Sequence, residues 1–340
     1  MNITKTFIRR LPMIWKKTVK RPIIRILQNN FPEDKHTTLL IYRSGDEYIT
    51  SMALAVKEAA KQAGYDLKIL DSKNSAGVQL NQVKAASENG GNSIIINLVD
   101  PYDAPNILEA AGDMKVIFIN RIPSDMSLLN ENAIYVGSDN NVAGRMQGEW
   151  LVDYFKFKRK NDIKYILLEG TPGLPTTIQR TSSALQALSD GGINATEAAL
   201  PIIANFSRDE ALYKIFPILI SDIKFDTIIS NNDEMALGAI DALEALDMDP
   251  AETPIVGVDA IYAALKAIKE GTLAMTVFQN AKAQGETAIT ALTNMLNGDP
   301  IDRGTGYNVS PDNPYAIYIP FEPVTINHIP QDIEYVGPIT

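Results

Sequence analysis

From Thr37 to about residue 279 the chain alternates two kinds of segment, and this alternation restricts its fold more than any other feature. Short apolar, mostly β-branched runs ("TTLLIY", "DLKIL", "SIIINLV", "KVIFIN", "AIYVG", "KYILLEG", "EAALPII", "DTIIS", "PIVGV" and "LAMTVF") are separated by longer segments whose apolar residues recur at helical spacing. Over 47–63 the inward stripe is Ile49, Met52, Val56, Ala59, Ala60 and Ala63; over 281–297 it is Ala288, Ile289, Leu292, Met295 and Leu296. Continuous apolar strands linked through amphipathic helices imply parallel sheets covered on both faces. Ten strands suit two sheets better than one, and 340 residues at 45% hydrophobic bury more than one core. The expected fold is therefore α/β, with two doubly wound parallel-sheet lobes.

Composition narrows the chemistry. There is no cysteine, hence no disulfide framework, thiolate nucleophile or cysteine metal site, and the two histidines, His36 and His328, flank the readable fold. No calcium loop of the Asp-x-Asp-x-Asp-Gly type occurs, so neither a metal nor another cofactor is expected. A net charge of -10 argues against nucleic acid. That charge is uneven: residues 1–30 hold Lys5, Arg9, Arg10, Lys16, Lys17, Lys20, Arg21 and Arg25 and no acid. This leader lacks the unbroken apolar run of a secretory signal and reads either as a basic amphipathic stretch at a membrane surface or as a non-domain segment broken by Pro12 and Pro22.

In doubly wound sheets a ligand binds beyond the carboxyl ends of the strands. Those ends carry "RSGDEY" (Asp46, Tyr48), "NLVDP" (Asp100), "NRIPSD" (Asn120, Arg121), "EGTPGLPTTIQR" (Thr176, Arg180), "IANFSRDE" (Phe206), "SNNDE" (Asn231, Asn232, Asp233), "GVDAI" (Asp259) and "VFQNA" (Gln279). Asp and Asn are ordinary helix N-caps, and Asp100 and Asp233 read mainly as such. Asp46, Asn120, Asn232 and Asp259 together place carboxylates and amides on a shared cleft. Tyr48 and Phe206 serve equally as rim packing or as platforms, and Arg180 as a solvated charge or a ligand contact. Such a cleft suits a small polyhydroxylated molecule, whose hydroxyls both donate and accept and whose C–H face lies against a ring. No phosphate-cradling glycine loop is present.

The pieces "IYRSGDEY", "INLVDP", "YVGSDNNVAGRMQGE", "SNNDEMALGAIDALEAL" and "VGVDAIYAALKAIKEGTLAMTV" resemble the galactose/glucose-binding proteins, sugar-binding type I periplasmic binding proteins that serve ABC transporters. The resemblance runs from about Thr38 to Tyr318. It implies two α/β lobes joined by three crossovers and closing on one monosaccharide. The lobes are expected at 36–138 with 279–308 and at 139–278 with 309–330, after a 1–35 leader and before a 331–340 tail. By this resemblance the sugar contacts fall on Asp46, Tyr48, Asn120, Arg180, Phe206, Asn232, Asp259 and Gln279, with Asn232 facing the sugar while its neighbours cap the helix. A histidine and an aspartate of the family correspond to Leu174 and Thr176, so that wall lacks a charge and a ring. The implied ligand is a pentose or hexose, with fewer hydroxyls toward that wall, as in xylose or a deoxy sugar. The family's calcium loop is replaced by "FKFKRKNDIK".

Three functions stay open on the residues alone. A transport receptor would meet an ABC permease, a sensory receptor would meet a membrane histidine kinase, and a carbohydrate-active enzyme would use Asp46 and Asp259 as an acid/base pair, although no nucleophile motif accompanies them. Both receptor readings imply an extracytoplasmic protein without catalytic residues.

Overall fold

The computed structural model describes residues 35–330. The basic leader, but for its last residue, and the tail at 331–340 lie outside the described residues.

The first lobe opens with β1 (His36–Ile41), α1 (Glu47–Gln62), β2 (Asp66–Asp71), α2 (Ala76–Glu88), β3 (Ser93–Ile96), α3 (Ala104–Ala111), β4 (Lys115–Ile119) and β5 (Ala133–Gly137). These strands run parallel in the order β5-β4-β3-β1-β2, with Leu39 beside Ile95 and Ile117 beside Ile134. Every residue of β3 and β5 is buried, as expected of strands covered on both faces. The chain then enters α4 (Asn140–Phe157), β6 (Asp162–Glu169), α5 (Pro175–Asp190), β7 (Asn194–Glu197), β8 (Ile202–Ile203), α6 (Arg208–Leu219), β9 (Thr227–Ser230), α7 (Asp233–Glu244), β10 (Ile255–Val256) and α8 (Tyr262–Glu270). Their strands form the second parallel sheet, β10-β9-β6-β7, with β8 also pairing with β6.

Strand order reverses direction between β1 and β3 in the first sheet and between β6 and β9 in the second, and the loops that diverge there open the crevice. After β11 (Thr276–Gln279) the chain returns to the first lobe as α9 (Ala281–Asn297), whose inner face packs on α1. Ala288, Ile289, Leu292 and Met295 are buried there as the spacing predicts, whereas Leu296 lies toward solvent.

Two expectations are corrected. "EAALPII" is not one strand: β7 ends at Glu197 and β8 begins at Ile202, because Pro201 has no N–H to continue the ladder. The boundary at 308/309 is also displaced. β12 (Val309–Ser310) and β13 (Asn313–Tyr318) join the first sheet, with Ala316–Tyr318 parallel to Tyr135–Gly137. Only at β14 (Phe321–Val324), antiparallel to β11, does the chain reach the second lobe again. The third passage between lobes is therefore at 319–320.

α4 and α5 approach unusually closely, and two glycines permit it. A Cβ on Gly144 would stand 2.1 Å from the Arg180 carbonyl oxygen, and one on Gly148 2.4 Å from that of Ala184. Both contacts are backbone, which has no rotamer to yield. Gly144→Ala is expected to destabilise the protein by about 1–3 kcal/mol through overpacking. Chemical denaturation measures this, and an unchanged midpoint would mean the helices can part freely.

Candidate functional site

The first lobe presents its polar groups from three loops. Asp46 is the N-cap of α1: one carboxylate oxygen accepts the Ile49 N–H at 3.1 Å and the other the Tyr42 hydroxyl at 2.7 Å. Asn120 has φ +65°, a left-handed conformation that asparagine tolerates, and its side-chain oxygen accepts from Asn97 at 3.1 Å. Asn97 is fixed in turn by the Ile119 carbonyl and the Tyr42 N–H. The guanidinium of Arg121 lies 3.7 Å from the centre of the Tyr42 ring and donates to the carbonyls of Leu98 and Val99 at 3.0 and 2.9 Å.

In the second lobe Arg180, on the inner face of α5, is only 3% exposed. It donates through Nε to Asn140 at 3.0 Å, through Nη1 to the Asn231 carbonyl at 2.7 Å and through Nη2 to Gln279 at 3.1 Å, with an Asp259 oxygen 3.5 Å from Nη1. Asn232 caps α7 by accepting the Met235 N–H at 3.1 Å, which leaves its amide hydrogens for the cleft. The backbone around the site is left-handed at Asn205, Phe206, Asp259 and Ala260. Asp259 is held there by the pairing of its N–H with Val277 and of its carbonyl with Gln279.

These groups meet between the sheets around a cavity of about 40 Å³. Asp46, Tyr48, Asn120, Thr176, Arg180, Phe206, Asn232, Asp259 and Gln279 all line it. Leu174 does not: it precedes the first turn of α5 and is buried in the apolar core, so Thr176 alone of that pair faces the cavity. Tyr42, Ile49 and Arg121 line it as well. Arg121 was legible as the neighbour of Asn120 at a strand's carboxyl end, and Tyr42 as the last residue of "TTLLIY". A larger groove of about 860 Å³ runs alongside between α1 and the start of α9, sharing Tyr48, Asp259 and Gln279. Its other polar walls are helix-surface residues such as Lys57, Glu58 and Glu286, whereas the buried, convergent polar groups surround the smaller cavity.

The model of the periplasmic binding protein domain matches residues 38–300. The chain belongs to the periplasmic binding protein family. It is 31% identical over 82% of its length to the D-galactose/methyl-galactoside binding periplasmic protein MglB of Haemophilus influenzae, covering 87% of that protein. A rhizopine-binding protein of Rhizobium meliloti, assigned provisionally, is 30% identical, with 82% and 86% of the two chains covered. Among solved structures, an ABC transporter solute binding protein of Bacillus halodurans with bound myo-inositol superposes with a TM-score of 0.75 at 29% identity, over 88% of this chain and 96% of that one. Like the rest of its family, this periplasmic binding protein is a receptor and not an enzyme.

In this binding protein the neighbours of Asn232 do not cap α7, contrary to expectation. Asn232 itself is the cap. Asn231 accepts the Gly170 N–H at 3.1 Å and donates to Thr181 at 3.0 Å. Asp233 accepts from Thr276 at 2.6 Å and from the Ile261 N–H at 3.1 Å, bracing the next two loops. The side chains of Asn231 and Asp233 turn away from their own helix because buried loop amides and hydroxyls there need partners.

The lobes touch across the cleft by hydrogen bonds. Arg43 Nη2 donates to the Phe206 carbonyl at 3.0 Å. Glu47, in the first turn of α1, accepts the Tyr262 N–H at 2.8 Å, at the start of α8 in the opposite lobe. Glu234, in the first turn of α7, lies near Glu47 across the cleft, so that their like charges oppose each other. The first lobe thus caps a helix of the second. Two acids pay for this closeness: burial, with the charges of Asp46 and Glu47 added, pushes Glu234 up to about 7, against the pull of Arg208. Burial also raises Asp259 to about 8, and Arg180 offsets it only in part.

Because Glu234 binds its proton more tightly folded than unfolded, its stabilising effect is complete below about 4.5 and is lost as pH rises through 7. The ligand-free protein should therefore melt lower at pH 8 than at pH 5. Glu234→Gln should reduce that fall by about 1 kcal/mol, roughly 2–4 °C, while Asp259 keeps part of it. Parallel melting curves for the two proteins across this range would show that Glu234 is not buried as a charge.

Proposed function

We propose that this protein closes its two lobes on one monosaccharide or a similar ring polyol and delivers it, unaltered, to an ABC transporter. The observation that carries this reading is the ring of half-used polar groups on the cavity. Asp259 has a single long contact to Arg180, and Asn232 and Asn120 each spend only their oxygen on the protein, so carboxylate and amide hydrogens remain for hydroxyls. The cavity holds no more than a few waters, so a sugar enters only as the lobes part. The polyol-binding relatives support the ligand class, and their transport role favours a permease as partner over a membrane sensor kinase. The receptor works outside the cytoplasm, in the periplasm or at the cell surface, as its periplasmic relatives do. Thr176 offers that wall of the cavity only one short hydroxyl, 3.5 Å from Asn140, so few ligand hydroxyls find partners there. A pentose such as xylose, or a deoxy sugar, therefore suits that wall better than a hexose.

Thermal shift with D-galactose, D-glucose, D-ribose, D-xylose and myo-inositol tests the reading. The cognate ligand at a hundredfold excess over its Kd adds about 2.7 kcal/mol of stability. Turnover of the bound sugar, or no response to any polyol, rules the proposal out.

Asp259→Ala should weaken binding by about 2 kcal/mol, since it removes the hydrogen bonds of a buried carboxyl group, about 1 kcal/mol each, and leaves ligand hydroxyls without partners. Asp46→Ala should lose affinity and also about 1 kcal/mol of stability, because Asp46 caps α1. Calorimetric titration beside denaturation separates the two effects, and unchanged affinity in both variants would confine these residues to structure.

A further inference from the structure

Tyr48 is the second residue of α1, 5% exposed, and its ring walls both the small cavity and the groove beside it. Its hydroxyl is shut off from solvent and has no hydrogen-bond partner. Buried hydroxyls in folded proteins are nearly always paired. The neighbouring tyrosines obey this: Tyr42 donates to Asp46 at 2.7 Å and Tyr135 to the Asn120 carbonyl at 2.9 Å.

Tyr48 shares the lining of the cavity with Asp259, Arg180 and Asp46, and these groups, with Tyr135, bear electrically on its hydroxyl. None of them bonds to it. The oxygens of Asp46 are engaged by Tyr42 and Ile49, and Arg180 is committed to Asn140, Asn231 and Gln279. Burial and the nearby carboxylates keep the phenol protonated, which makes it a donor. A ring alone would supply an apolar platform. The oxygen adds a built donor, and a site with a built donor rejects an analogue that leaves it unpaired.

We infer that Tyr48 is a specificity-determining residue whose phenolic hydroxyl donates a hydrogen bond to one oxygen of the bound polyol. This rests on the receptor reading above and deepens it: the ligand must carry an oxygen at one defined ring position, facing the start of α1.

The test compares wild type with Tyr48→Phe by calorimetric titration of the same sugars and myo-inositol, followed by the monodeoxy analogues of the tightest ligand. Tyr48→Phe should bind that ligand about tenfold more weakly. One monodeoxy analogue should show a similar loss in wild type yet bind both proteins equally. The ligand-free variant should melt at the wild-type temperature or above, since no internal bond is removed. Equal affinities of the two proteins for every probe would assign the hydroxyl to an ordered water and overturn the inference, as would a lowered ligand-free melting temperature, which would mean a partner within the protein. If no probe binds wild type, the receptor reading itself falls and the inference with it.

Discussion

The buried guanidinium of Arg180 organises the second lobe's side of the crevice. Arg180 carries its charge almost wholly out of solvent, so its donors take protein partners. It takes them from the start of α4, from the loop after β9 and from the end of β11, and it stands against Asp259. Two of these points, Asn140 and Gln279, lie where the chain changes lobes. The cation thus joins the second sheet's binding loops to two of the three connections about which the lobes turn. The glycines of α4 follow from the same requirement, since Arg180 reaches Asn140 only if α5 lies almost on the α4 backbone.

The first lobe adds neutral amides to its own buried guanidinium, Arg121. Asn97 holds Asn120, while Gln79 holds the carbonyl of Asn97 at 3.1 Å and accepts the Val99 N–H at 2.8 Å. On the other side Gln147 spans the carbonyls of Ser230 and Gly257, the ends of two strands of the second sheet. These amides sit one layer behind the cavity and fix the loops whose side chains face it.

The fold class was legible because parallel strands and their helices repeat a strong pattern, and the candidate residues were legible because such sheets place ligands at one edge. What the pattern hid has physical causes. The strands between Val309 and Val324 are interrupted by Pro311, Pro314, Pro320 and Pro323, which leave only the short apolar run "YAIYI" at 315–319. Asp46 and Asn232 defied a choice between cap and ligand contact, since one carboxylate or amide has atoms enough for both. Leu174 matched a binding position in the linear motif, but its side chain enters the core. Asn97 and Asn140 look like ordinary loop or cap residues until the fold brings Asn120 and Arg180 to them.

The helix cap that the first lobe lends to the second gives closure a spectroscopic signature. The amide of Tyr262, in the first turn of α8, has no acceptor within its own helix, and it meets the Glu47 carboxylate of the facing lobe. When the lobes part, this N–H passes to solvent while the hydrogen bonds within each sheet stay intact. Slow hydrogen exchange at Tyr262 therefore measures the fraction of time the receptor spends shut, independently of any label or of the sugar itself.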